Sequence, residues 1–117
     1  MCTIIGLNND KGESLIGRNF DFIRSGGKIH FVPSTRSYGL TTYGVFLIEQ
    51  MGLDRPYEGM NEEGLFVGIN ALEDTEIEEK NFTTMNNAGL VKFVLERAKN
   101  VEKALKNNVD LIISHHP

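Results

Sequence analysis

Cys2 is the one cysteine in the 117-residue chain, and its position suggests chemistry. If the initiator Met1 is removed, Cys2 carries a free α-amine beside its own thiol. Such an amine has an ordinary pKa of roughly 7.7–8.0, which suits a general base at neutral pH. The thiol, near ~8.5, needs only modest help to ionise. Nucleophile and base would then occupy a single residue. A site of this kind also needs a cation to favour the thiolate, an anion to hold the ammonium, and N–H donors for the oxyanion. Arg18, Asp21 and Asn70 are residues of those types. Each has a plainer reading. Arg18 and Asp21 could form a surface ion pair worth ~0–1 kcal/mol. Asn70 could be a turn former at a strand end, and Cys2 a small buried hydrophobe.

These residues need elements to position them. Cys2 to Leu7 is apolar and β-branched, and Asn8-Asn9-Asp10-Lys11-Gly12 is dense in turn formers. Ser14 to Phe20 follows as a second strand, so the chain opens on a predicted β-hairpin. In such a hairpin Arg18 and Asp21 fall near the open end, which is also the end of Cys2. Further strands are predicted over Lys28 to Val32, Thr41 to Glu49 and Gly64 to Asn70. Gly59-Met60-Asn61-Glu62-Glu63-Gly64 reads as a turn before the last of these, with Gly59 and Gly64 available for positive φ. The period then changes. Leu90, Val91, Val94, Leu95 and Ala98 fall at helical spacing. Asn100 can cap a second short helix bearing Val101, Ala104 and Leu105. Leu111 to Ile113 could begin another strand. Strands followed by helices predict an α+β domain spanning 1–117, an antiparallel sheet with two helices on one face.

Composition narrows the classes. Hydrophobic residues make up 40%, enough for a packed core. Twelve basic against sixteen acidic residues give a net charge of −4, which argues against a nucleic-acid partner. No stretch approaches the ~20 apolar residues needed to span a bilayer, and no secretory signal is visible. The expectation is a cytoplasmic protein. A lone cysteine excludes an internal disulfide framework and a multi-cysteine metal site.

Met1-Cys2-Thr3, the hairpin and Gly17-Arg18-Asn19-Phe20-Asp21-Phe22 resemble the start of the linear amide C–N hydrolases. This is the choloylglycine hydrolase group, which includes bile salt hydrolases and penicillin V acylases. Gly59 to Leu65 followed by Gly68-Ile69-Asn70 is similar to that family's second signature. Acyltransferases that process penicillin precursors share a comparable pattern. Ala71-Leu72-Glu73-Asp74 leans towards that side, and away from the bile salt hydrolases.

The resemblance implies a four-layer αββα sandwich of the N-terminal-nucleophile type. It implies Cys2 as nucleophile and its amine as base. Arg18 would sit beside the thiol, Asp21 would hold the amine, and the backbone N–H of Asn70 would donate to the oxyanion. The reaction would be hydrolysis of a small-molecule N-acyl amide through a thioester, with no cofactor, no metal and a homo-oligomeric assembly. Family members are longer than 117 residues and carry a further catalytic asparagine and arginine downstream. The chain is therefore expected to be the N-terminal part of a longer amidohydrolase. Three other expectations stand beside this one: an acyltransferase of the penicillin-precursor type, an incomplete piece acting as a folding or association module, and a thiol redox or binding protein. The last lacks the CxxC pattern usual for that work.

Overall fold

The computed structural model describes residues 2–20, 26–50, 56–69, 83–107 and 111–114. Among the described residues the fold is α+β, with mainly antiparallel sheets and two short helices, compatible with part of an N-terminal-nucleophile sandwich. It opens on a two-stranded ribbon, β1 (Cys2–Asn8) paired antiparallel with β2 (Ser14–Phe20). The predicted turn closes it. Asn9 Oδ1 accepts the N–H groups of Lys11 and Glu13 at 3.0 and 2.9 Å, and Gly12 takes φ 79°.

A four-stranded sheet follows in the order β3 (Gly27–Val32), β6 (Val45–Gln50), β7 (Pro56–Asn61), β8 (Phe66–Gly68). A small hairpin, β4 (Thr35–Ser37) with β5 (Leu40–Thr42), turns through Tyr38 and Gly39 at φ 49° and 78°. The predicted strand Thr41 to Glu49 is thus divided. Around Gly44 the backbone serves other partners: its N–H donates to Glu62 Oε1 at 2.9 Å, and its carbonyl accepts the N–H of Glu62 at 2.9 Å.

The helix α1 (Asn87–Arg97) lies on one face of the sheet. Val91, Val94, Leu95 and Ala98 bury against Val45, Leu47 and Leu65, the helical spacing read from the sequence. Gly59 has a different role from the one expected. Its φ is not positive. It is needed because a Cβ there would lie 2.3 Å from the Phe46 carbonyl oxygen and 2.9 Å from Leu95 Cδ1. Gly59 and Met60 also belong to β7, so the predicted turn is shorter, running from Asn61 to Leu65.

The helix α2 (Val101–Asn107) is capped as predicted, with the Lys103 N–H donating to Asn100 Oδ1 at 3.0 Å. Its apolar residues are used unevenly: Ala104 packs on the core, while Val101 and Leu105 stay exposed. The strand predicted at Leu111 is β10 (Leu111–Ser114). It pairs in parallel with β9 (Thr83–Asn86), which sequence reading passed over.

Candidate functional site

Strand alternation gives the ribbon two faces. Register pairs Cys2 with Phe20 and Ile4 with Arg18, so positions 2, 4, 16, 18 and 20 share one face. Ile4, Ile16 and Arg18 are half-buried, whereas Ile5, Leu7 and Leu15 on the other face are exposed. The first face therefore looks inward. Arg18 is a diagonal neighbour of the Cys2 position, within reach of a long side chain.

The four-stranded sheet has its own inward face, opposite α1. Cross-strand pairing places Ile29, Phe31, Phe46, Ile48, Glu58, Met60, Phe66 and Gly68 on it. Arg18 spans from ribbon to sheet. One guanidinium nitrogen lies 2.7 Å from Glu58 Oε2, and the other donates to the Ile69 carbonyl at 2.7 Å. Both side chains of the ion pair are buried, at 7% and 6% exposure. Gly68 opens the path: a Cβ there would come within 3.2 Å of the guanidinium.

Arg18 is thus held in a buried ion pair with Glu58. Asp21, Asn70 and the side chain of Cys2 lie outside the described residues. Glu58 and the Ile69 carbonyl were missed by sequence reading. The available signal was a carboxylate two residues before Met60, in what proves to be a strand.

Asn61, central to the second motif, does not serve this site. Its Nδ2 donates to the carbonyls of Leu95 and Ala98 at 2.9 and 2.7 Å. Its Oδ1 accepts from Glu63 and Leu65 at 3.1 and 3.0 Å. Both amide protons and both lone pairs are in use, so Asn61 is structural. Between the closed end of the ribbon and the sheet runs a groove of about 610 Å³, lined by Gly6, Ser14, Ile16, Met60, Phe66 and Lys99. It begins one inward position from Arg18. Among the described residues no cluster of three or more His, Cys, Asp or Glu could hold a metal ion. No helix among them is long and apolar enough to cross a membrane.

No curated protein and no solved structure matches the chain. Residues 7–114 match the family described as acyl-coenzyme A:6-aminopenicillanic acid acyl-transferase; the span includes Arg18 and Glu58, and Cys2 lies before it. A match over nearly the whole chain shows that it belongs to that family, one of acyltransferase and hydrolase-type enzymes of the N-terminal-nucleophile class.

Proposed function

We propose that the chain carries the nucleophile side of a cysteine N-terminal-nucleophile site that cleaves a linear amide C–N bond. The observation that carries this reading is the buried Arg18, pinned between sheet and ribbon on the face that bears position 2. Removal of Met1 frees the Cys2 amine, which takes the thiol proton. A buried guanidinium nearby favours the thiolate. The thiolate attacks the amide carbonyl carbon, and the oxyanion is met by N–H donors, with that of Asn70 the one assigned. The C–N bond breaks, and the departing amine takes its proton from the Cys2 ammonium. The acyl group now sits on sulfur as a thioester. Water releases it as an acid, or an acceptor amine takes it in acyl transfer. Asp21 holds the amine in place. The groove beside Ile16 and Phe66 receives one arm of a small N-acyl amide.

The family match favours the penicillin-precursor side of the resemblance, where a thioester donor and an amine acceptor are natural substrates. Bile-acid conjugates are the less favoured class. The test is amine release from a panel of N-acyl amides, with and without an acceptor amine, using the gene product with Met1 removal verified by mass. Cys2→Ala should reduce turnover by ~10³-fold or more. Unchanged turnover in that variant, or full activity with Met1 retained, would defeat the reading.

A second reading, an association module, is favoured by exposed Ile29 and Phe31 on the sheet's inward face and by Ile5, Leu7 and Leu15 on the ribbon's outer face. It includes the homo-oligomer expected from the resemblance. Light scattering after size exclusion distinguishes an assembly from a monomer.

A further inference from the structure

We infer that Glu58 is a positioning residue that holds the Arg18 guanidinium where it favours the Cys2 thiolate. The inference rests on the proposed role of Cys2 and adds a residue that role does not require.

Glu58 is buried on the inward face of β7, a face it shares with Ile48, Met60 and other apolar residues. A carboxylate there is costly. Buried ion pairs often give no more stability than apolar residues of the same volume, so stability alone is a poor reason to place one. Geometry is a better reason. Glu58 is fixed in register on both sides, by β6 at Ile48 and by β8 at Gly68. The cross-strand partner Gly68 has no side chain, which leaves a lane for the guanidinium. The Ile69 carbonyl accepts from a second guanidinium nitrogen, and Ile69 is itself tied to β7 through its N–H to the Tyr57 carbonyl at 3.0 Å. Neighbouring strands thus converge on one cation carried by the ribbon.

Among the described residues, Arg18 and Glu58 are the charged groups on the two inward faces. His30 and Glu49 pair at 2.8 Å on the helix side of the sheet. The Cys2 amine joins the inward set once Met1 leaves, and Asp21 lies outside the described residues.

Two effects of removing the Glu58 charge have opposite signs. As a bare anion, its loss would make the thiol easier to ionise. As the holder of Arg18, its loss would make the thiol harder to ionise. The chain has one cysteine, so alkylation by iodoacetamide, followed by mass spectrometry against pH, reports Cys2 alone. Arg18→Gln should raise the alkylation midpoint by about one pH unit. Glu58→Gln should raise it by about half as much, and Glu58→Asp by less, since the charge is kept and the reach shortened. Gly68→Ala, which crowds the guanidinium without altering charge, should also raise it. It serves as the deciding variant if Glu58→Gln does not fold. A midpoint that moves with Arg18→Gln but falls or stays fixed in the Glu58 and Gly68 variants overturns the role of Glu58 alone. A midpoint indifferent to Arg18→Gln overturns the Arg18–Cys2 pairing on which the inference rests.

Discussion

The molecule contains the same turn twice. Asn9-Asp10-Lys11-Gly12-Glu13 closes the ribbon, and Asn61-Glu62-Glu63-Gly64-Leu65 joins β7 to β8. In both, the asparagine N–H donates to the carbonyl four residues on, at 3.0 Å. In both, its carbonyl accepts from the glycine, at 3.1 and 3.0 Å. Each Oδ1 accepts two further N–H groups, and each glycine has positive φ, 79° and 85°. The surroundings differ. Asn9 is exposed, and its Nδ2 donates to the Glu13 carboxylate. Asn61 is buried, and its Nδ2 donates to carbonyls at the end of α1. A helix leaves its last four carbonyls without internal partners. Asn61 satisfies Leu95 and Ala98, and the Tyr43 N–H satisfies Glu96 at 2.9 Å. One local device makes a turn; the same device, buried, also docks a helix on the sheet that holds Arg18.

The comparison breaks most sharply at Asn61. Asn61→Ala keeps neither the turn acceptor nor the helix donors, and leaves two carbonyls orphaned. The expected loss is roughly 2–6 kcal/mol, from ~1–3 kcal/mol for each buried unsatisfied group. Asn61→Asp retains the turn acceptor but points a carboxylate at two carbonyl oxygens. It should cost at least as much, showing that the helix contacts dominate. Denaturant midpoints compared at constant slope measure both. A loss below ~1 kcal/mol in Asn61→Asp would mean that the docking role has been overstated.

The two turns also show what could be read in advance. Turn formers marked both places, and the ribbon, α1, the cap at Asn100 and the class followed from local pattern. What escaped was set by partners distant in sequence. Gly59 looked like a turn glycine, yet it is demanded by Leu95 and Phe46. The strand β7 was hidden because Pro56, Glu58 and Gly59 are poor strand formers, tolerated here by pairing on both sides. Arg18 is singled out by its position near the ribbon's open end. Its partner Glu58 is not, because 40 residues of chain separate them and no local rule joins them. Asp21 and Asn70 stand as sequence-based assignments.

The glycines sharpen the comparison by agreeing. A Cβ at Gly12 or Gly64 would meet nothing within 4 Å, so space is not at issue in either place. Only the left-handed backbone is, which costs a non-glycine residue about 1–2 kcal/mol. Gly12→Ala and Gly64→Ala should therefore lose the same amount within ~0.5 kcal/mol, although one turn is exposed and the other abuts the core. Thermal melts of the two variants check this. A much larger loss at Gly64 would show that its turn couples to the α1 contact through the backbone as well as through the Asn61 side chain.

The smallest effect belongs to Asn9→Asp. The carboxylate keeps both turn bonds to Lys11 and Glu13. What it gives up is the Nδ2 contact with the Glu13 side chain, which becomes a pair of like charges. Both groups are exposed, so water and salt screen the repulsion, and the change should stay within ~0.5 kcal/mol. Raising the ionic strength should narrow it further. The same substitution at Asn61 is not rescued by salt, because its conflict is with buried carbonyls that no ion can reach. Salt dependence thus separates the two asparagines by their burial and by the partner each Nδ2 serves.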